Sequence, residues 1–220
     1  MAGAFVTRAL VLGVVRLFEP VNGYQVTREL MSWQVEDWAK LKPGSVYSML
    51  ATLTKQDAIL RHDLTDGTRP VAVYETTASG RDEFARMIRE ALDGSQGFER
   101  PVLDTGLAFA PYLTRREVIT ALDARLDRLD AVGAEVAEAI AGAGQTVPPH
   151  VAHMMGLDQS LRTAERTWLA DFRDRLDDGY LAFLGEPQTW MPGPDDAGWE
   201  MVEQRRRYRE LLDASSATGR

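Results

Sequence analysis

The N-terminal part of the chain alternates between helical and strand-like patterns of apolar side chains. Apolar residues recur at helical spacing over residues 5–18. This first helix is predicted to end before Pro20, because proline disfavours a helical conformation in the residue that precedes it. Asn22-Gly23 is a turn signal, and residues 24–31 then have the spacing of a short amphipathic helix. The pattern therefore predicts two helices joined by a tight turn.

A third helix is predicted to begin at Pro43, after a connecting segment at residues 33–41. Proline suits the first turn of a helix, where the helical ladder needs no backbone N–H. The inward face of this helix is apolar and consists of Val46, Met49, Leu50 and Leu53. The outward face is polar and consists of Ser45, Ser48, Thr52 and Lys55. A helix divided in this way buries one side and presents hydroxyl groups on the other.

After the third helix the pattern changes to the in-and-out alternation of strands. Residues 61–64 and 71–75 alternate, and the turn between them contains Asp66-Gly67, which is a strong hairpin signal. A further helix is predicted over residues 77–92. Three helices followed by a hairpin indicate a mainly α fold with a small β-hairpin wing, the winged helix-turn-helix. In that arrangement the third helix enters the major groove of DNA.

The rest of the chain is predicted to be almost entirely helical. Two long apolar stripes, over residues 118–140 and 157–183, are separated by Gly142, Gly144 and Pro148-Pro149. Such helices form an antiparallel hairpin that leaves apolar surface exposed, so a second copy of the chain is expected to cover it. The predicted divisions are a winged helix-turn-helix domain at residues 1–92, a linker at 93–100, a helical dimerisation and effector domain at 101–185, and an extension at 186–220.

The net charge of −8 is unusual for a protein that binds DNA, because Lys and Arg contacts to phosphates supply most non-specific affinity. Residues 1–95 carry 11 Lys and Arg against 12 Asp and Glu, so most of the excess acid lies in the remaining residues. A near-neutral N-terminal part is expected to bind DNA modestly and with strong salt dependence, through two recognition helices acting together.

The start of the third helix carries the residues best suited to contact with DNA. Small hydroxyl side chains allow close approach to base edges or phosphates, and amides at a helix start favour anions. Gly44 lets the backbone approach a phosphate, and Tyr47 adds a longer hydroxyl donor. The candidates on this helix are Lys42, Gly44, Ser45, Tyr47, Ser48, Thr52 and Lys55. The candidates elsewhere are Arg61, Thr65, Thr68 and Arg69 around the wing, with Tyr24 and Gln25 in the second helix.

Several spaced motifs resemble those of the PadR family of transcriptional regulators. They are Gly23-Tyr24-Gln25-Val26 with Leu30, Leu41-Lys42-Pro43-Gly44-Ser45-Val46-Tyr47 with Leu50 and Leu53, and Tyr74-Glu75-Thr76-Thr77 with Gly80 and Arg81. The resemblance implies a winged-helix homodimer, joined by its C-terminal helices, that binds a pseudo-palindromic operator and usually represses. In some members a small molecule releases the DNA. Ser48 and Lys55-Gln56-Asp57 depart from the usual pattern, which changes the local charge rather than the fold.

The C-terminal stripes supply candidates for two further roles. The candidates for the dimer interface are Leu122, Leu126, Leu129, Leu161, Trp168 and Phe172. An aromatic set is suited to lining an effector pocket between subunits, with packing in the core as the alternative. The candidates for this pocket are Trp168, Phe172 and Tyr180.

Two further patterns favour structural interpretations. His150 and His153 are spaced to share a helical face, but no third ligand stands near them, so no metal site is predicted. The run at residues 205–207 is basic, and Glu200, Glu203 and Glu210 surround it at helical spacing. A solvated helix with internal ion pairs is therefore expected there, rather than a DNA-binding arm.

Two classes of function stay open. The first is a homodimeric repressor whose partners are double-stranded operator DNA, a second copy and a small aromatic effector. The second is a protein-interaction module that uses the same helix and wing, which the acidic net charge favours. No catalytic motif is recognisable, and the lack of cysteine excludes disulfides and thiolate zinc sites, so neither an enzyme nor a cofactor is predicted. The longest apolar run, residues 9–15, is too short to cross a bilayer, so a cytoplasmic protein is expected.

Overall fold

The structure, a computed structural model, describes residues 2–143, 147–188, 190–196 and 198–218. Its first helices are α1 (Ala2–Phe18), α2 (Gly23–Ser32), α3 (Val35–Trp38) and α4 (Pro43–Lys55). The central part of α1 is buried on all sides, so this helix forms the middle of the N-terminal core. The connecting segment at 33–41 contains α3, which the sequence pattern missed because four residues are too few to show a helical period.

A three-stranded antiparallel sheet forms the wing and its base. The strands are β1 (Val21–Asn22), β2 (Ile59–Asp66) and β3 (Arg69–Thr76), in the order β1-β3-β2. The predicted hairpin is correct for β2 and β3, but Val21 also pairs with Tyr74 and adds β1. A two-residue strand is too short to show alternation. Because side chains alternate across a strand, Tyr74 belongs to the face that packs on the helices, and Val73 and Glu75 belong to the opposite face.

Two more helices complete the N-terminal core. They are α5 (Ala78–Asp93) and α6 (Arg100–Phe109), and a turn of 3-10 helix follows at Ala110–Tyr112. The ring of Phe109 lies directly on the backbone of Gly13, where an added Cβ would be 2.3 Å from the ring. Phe84 of α5 meets the same ring edge-on, with centroids 5.2 Å apart. One continuous core therefore joins α1, α5 and α6, and the division of the chain near residue 100 stays a prediction.

Two long helices, α7 (Arg115–Ala143) and α8 (Pro149–Asp177), form the predicted antiparallel hairpin. Ion pairs connect them in the reversed order expected of antiparallel helices, from Asp123 with Arg173 to Asp130 with Arg166. Gly144, one of the predicted helix breakers, lies outside the described residues.

The last helix, α9 (Gly198–Thr218), lies against the wing sheet. Met201 and Tyr208 are buried in this contact. Arg207 pairs with Asp66 at the hairpin turn, and Arg209 pairs with Glu75 of β3 at 2.7 Å. The predicted helix and an internal ion pair, Arg206 with Glu203, are present. The pairs of Arg207 and Arg209 with the wing were not predicted, because periodicity along α9 does not show which element packs against it.

Candidate nucleic-acid interface

The outward face of α4 is exposed along its length. Pro43 occupies the first turn, and in the described part of the chain no side chain caps this helix start, so no side-chain oxygen competes there with an anion. Val46, Leu50 and Leu53 are buried and fix the helix to the core. All of the candidate residues on α4 are exposed: Lys42, Gly44, Ser45, Tyr47, Ser48, Thr52 and Lys55. The helix therefore has the buried and exposed faces that its sequence pattern predicts.

The hydroxyl groups of α4 make hydrogen bonds within the helix. Ser48 Oγ donates to the Gly44 carbonyl at 3.2 Å, and Thr52 Oγ1 donates to the Ser48 carbonyl at 2.9 Å. Each hydroxyl oxygen keeps lone pairs that can accept from a base amino group. The start of α1 borders this face, and a shallow cavity of ≈ 400 Å³ lies between them. The α1 residues that line this cavity are Gly3, Ala4 and Thr7.

Two tyrosines extend the exposed surface from α4 to the start of α2. Tyr47 is 50% exposed, and its ring lies against Gly23, where an added Cβ would be 2.9 Å from Cε1. Tyr24, in the first turn of α2, is 66% exposed. Gly23 therefore leaves room for the Tyr47 ring beside the first turn of α2.

Gln25 does not reach this surface, which corrects its place among the candidate phosphate contacts. Its side chain is 2% exposed and accepts a hydrogen bond from the Asn22 N–H at 2.9 Å. The Asn22 side chain accepts in return from the Gln25 N–H at 2.8 Å. This reciprocal pair is a capping box, and the Gln25 amide also donates to Gln204 of α9. Gln25 therefore caps the start of α2 and binds α9.

The wing presents its candidates at and near its turn. Thr65, Thr68 and Arg69 are exposed, and Gly67 supplies the positive φ of +63° that the tight turn requires. Arg61 is exposed as well, but its guanidinium binds Asp63 at 2.7 Å. This hydrogen bond raises the pKa of Arg61, so the group stays charged while Asp63 balances that charge. Arg69 is therefore the better placed of the two arginines.

One cavity of ≈ 410 Å³ brings the wing, α2 and α9 together. It is lined by Tyr24 and Arg69, both candidate contacts, and also by Asp66 and by Tyr208 of α9. The sequence interpretation missed Asp66, Arg207 and Tyr208 as neighbours of this surface. The basic run at 205–207 was the available signal, but its contact with the wing depends on tertiary packing.

The candidates for the dimer interface divide into buried and exposed residues. Leu122 and Leu129 are buried within the single chain, at 0% and 3% exposure, so they offer no surface to a partner. Leu126 is partly buried against the same core. Leu161 and Trp168 are 60% and 47% exposed on α8. Of the predicted set, Leu161 and Trp168 are therefore open to a second copy, whereas Phe172 is partly buried against the chain's own core.

The three aromatic candidates for the effector pocket are not all in contact with one another. Trp168 and Phe172 stack with ring centroids 5.0 Å apart and planes 11° apart. Trp168 borders an open groove of ≈ 850 Å³ along α8, whose other lining residues include Thr163 and Ala164. Tyr180 instead lies against Arg175, with its ring centroid 6.0 Å from the guanidinium carbon.

The described part of the chain offers neither a cluster of metal ligands nor a helix that could span a membrane. Within residues 2–143, 147–188, 190–196 and 198–218, no group of three His, Asp or Glu residues could hold a metal ion. Among the helices of the same residues, none combines the length and the apolar character needed to span a membrane.

Comparison with known proteins gives a family match in the N-terminal part. Residues 11–86 match the model of the transcriptional regulator PadR-like family. No curated protein is similar enough to the chain to count as a match.

Three solved structures are similar to this chain at low sequence identity. Bacillus subtilis PadR in complex with operator DNA is 17% identical, with 77% of this chain and 98% of that chain covered and a TM-score of 0.33. The same protein in complex with p-coumaric acid is 18% identical, with 78% and 99% covered and a TM-score of 0.33. The PadR-like transcriptional regulator BC1756 from Bacillus cereus is 16% identical, with 77% and 94% covered and a TM-score of 0.33.

These TM-scores are low, so the assignment rests on the sequence match. The matched residues include α2, α4, the wing and most of α5, which are the elements that carry the candidate contacts. Residues 11–86 are therefore the part of the chain that is similar to the PadR-like family of transcriptional regulators.

Proposed function

We propose that this chain is a DNA-binding repressor that acts as a homodimer on a pseudo-palindromic operator. The observation that carries the proposal is the continuous exposed surface from α4 through Tyr47 and Tyr24 to Arg69. A helix of this kind fits the major groove, and the wing then lies along the phosphate backbone. On this proposal the chain acts in the cytoplasm and needs no catalytic group or cofactor.

The charge of this surface supports binding by two copies rather than one. In the part of the chain that the structure describes, Lys42, Lys55 and Arg69 are exposed and make no ion pair. Three such cations per protomer give few phosphate contacts, and each contact contributes to a steep salt dependence. Two protomers on one duplex double the number of contacts and act at a high effective concentration.

The homodimer is supported by an apolar stripe on α8. Its residues follow one another at helical spacing and are exposed: Met154, Leu157, Leu161 and Trp168. Contiguous apolar surface of this kind marks an interface in soluble proteins. A second copy that packs its own α8 on this stripe buries both surfaces and fixes the distance between the two recognition helices.

The DNA-binding proposal is tested with a duplex taken from the region upstream of the chain's own coding sequence. We expect the wild-type chain to shift this duplex at nanomolar to sub-micromolar concentration. Tyr47→Ala and Arg69→Ala remove a contact from α4 and from the wing, and each is expected to weaken binding by about tenfold. Trp190→Ala and Arg100→Ala change exposed residues elsewhere and serve as matched controls. If all four variants bind like the wild type, the surface assignment is wrong.

We further propose that a small aromatic effector binds the groove on α8. Trp168 supplies a stacking surface, and a partner's α8 is expected to close the open side of the groove. With p-coumaric acid as the probe, the wild-type chain is expected to release the duplex, and Trp168→Ala is expected to retain it. The alternative function is a protein-interaction module, and absence of any duplex shift favours that alternative.

A further inference from the structure

The face of the wing sheet that is turned away from the helical core is covered by α9. Asn22 of β1 donates from Nδ2 to the Tyr208 hydroxyl at 2.8 Å, and Arg28 of α2 pairs with Glu200 at 2.9 Å. Val73, on this face of β3, is fully buried. The helix therefore runs from α2 across the sheet and is fixed there by buried apolar side chains as well as by ion pairs.

The hairpin turn of the wing would be electrically neutral without α9. Asp66 and Arg69 form the last pair in the strand register, one on each side of the turn. A carboxylate beside an arginine cancels its charge and repels the phosphates of DNA. Arg207 of α9 binds the Asp66 carboxylate and changes the local charge from zero to +1.

The location of this ion pair connects it to the proposed DNA contacts. Asp66 lines the same cavity as Tyr24 and Arg69, with Tyr208 of α9 at its border. Arg207 directly precedes Tyr208 on α9 and reaches the turn, whereas Arg209 follows Tyr208 and reaches Glu75, near the other end of β3. Two arginines of one helix thus bind opposite ends of the hairpin, Arg207 at its turn and Arg209 near its base.

We propose that α9 is a part of the DNA-binding surface, in which Arg207 neutralises Asp66 so that Arg69 binds a phosphate with no free carboxylate beside it. This inference rests on the proposed DNA-binding function. Both Arg207 and Arg209 hold α9 on the sheet. Arg207 has the additional role of neutralising the charge of Asp66 beside Arg69.

The test is a fluorescence anisotropy titration of the full chain with a labelled duplex at several salt concentrations. Arg207→Gln is expected to weaken binding roughly fivefold to tenfold and to reduce the slope of log K against log salt by about 1 per protomer. Arg209→Gln removes one ion pair between α9 and the sheet away from the turn, and Arg206→Gln changes an exposed arginine that pairs with Glu203 of its own helix. Both controls are expected to bind within about twofold of the wild type.

A second variant separates neutralisation from direct contact. Asp66→Asn in the Arg207→Gln background returns the net charge of the turn to +1, and we expect it to restore the affinity and the salt slope. Failure to restore them would contradict neutralisation. Equal losses of DNA affinity in Arg207→Gln and Arg209→Gln would show that α9 only supports the sheet structurally. Tighter binding by Arg207→Gln would show that α9 blocks DNA from the wing. Either result overturns the inference. If the wild-type chain binds no duplex, the proposed function itself fails, and this inference with it.

Discussion

Neighbouring residues at the start of α2 have opposite environments, although both were candidates for phosphate contact. Tyr24 is exposed, while Gln25 is buried in the capping box with Asn22. An Asn followed three residues later by Gln is a recognisable start of a helix, so the burial of Gln25 was predictable from the sequence. The exposure of Tyr24 was not predictable, because it depends on how α9 and the wing are placed around it.

At Gly44 we predict that stability and DNA binding change in opposite directions. Nothing lies within 4 Å of a Cβ added there, so Gly44→Ala is expected to stabilise α4 by about 0.5 to 1 kcal/mol. The same methyl group separates the helix backbone from a phosphate, so DNA affinity should fall roughly tenfold. Urea unfolding and duplex titration measure the two effects.

Gly156→Ala is the control for this prediction. Gly156 lies in α8, and it also has nothing within 4 Å of an added Cβ. A similar gain in stability with unchanged DNA binding is expected. Equal DNA affinity in Gly44→Ala and the wild-type chain would show that the backbone at Gly44 does not approach DNA.

At the scale of elements, the sequence predicts those whose patterns are local. The face of α4 and the hairpin around Asp66-Gly67 follow from periodicity and turn chemistry, and the structure confirms both. β1 is too short to leave a pattern, and the docking of α9 depends on partners more than a hundred residues away. Local patterns define an element's faces, but they do not show which element covers each face.

The contact between α1 and α5 is expected to weaken in acid. Arg8 binds Glu83 through two hydrogen bonds, of 2.8 and 2.7 Å. These bonds hold the pKa of Glu83 below its ordinary value of 4.5, against the opposing effect of burial. A carboxyl whose pKa is lower in the folded state stabilises the fold above its unfolded pKa, and this stabilisation is lost as the pH falls through the folded pKa.

Glu83→Gln should therefore be less stable than the wild type at neutral pH, and the difference should shrink as the pH falls below 4.5. Urea unfolding across this pH range measures the difference. Arg8→Met removes the other partner and is expected to show the same convergence. A difference that stays constant with pH would show that the ion pair does not control the pKa of Glu83.

The contact between α7 and α8 contains a buried ion pair that we expect to be sensitive to substitution. Arg125 is fully buried, lies 2.7 Å from Glu165 and stacks over the ring of Phe98 at 5.2 Å. Arg125→Met leaves Glu165 without its partner, and breaking a buried pair in this way costs about 3 kcal/mol. Chemical unfolding measures the loss.

Arg166→Met is the matched control on the same two helices. Arg166 pairs with Asp130, and both side chains are about half exposed. Exposed pairs contribute little to stability, so the loss is expected to be much smaller than that of Arg125→Met. Similar losses in the two variants would contradict the special role of burial at Arg125.

At the scale of the whole molecule, the sequence identified the apolar stripes but not what covers them. Leu122 and Leu129 are buried by their own chain, while Leu161 on the facing helix remains exposed. Periodicity shows which face of a helix is apolar. It does not show whether that face is covered by the same chain or by a second copy. The candidate interface on α8 is therefore known only once the chain's own packing is known.

Leu161→Asp is expected to give a monomer. A charge in the middle of the apolar stripe on α8 opposes the packing of two such stripes. By light scattering, the wild-type chain should have twice the chain mass of 24.5 kDa, and the variant should have the chain mass itself. Leu184→Asp changes an equally exposed leucine outside the stripe and should remain dimeric. A dimeric Leu161→Asp variant would place the interface elsewhere.

Recognition of a specific DNA sequence by two copies of this surface is tested by comparing two duplexes of equal length. One is taken from upstream of the chain's own coding region, and the other is its scrambled sequence. We predict that the wild-type chain binds the first at least about a thousandfold more tightly, and that both affinities fall steeply with salt. Equal affinity for the two duplexes, or no binding to either, would contradict the claim.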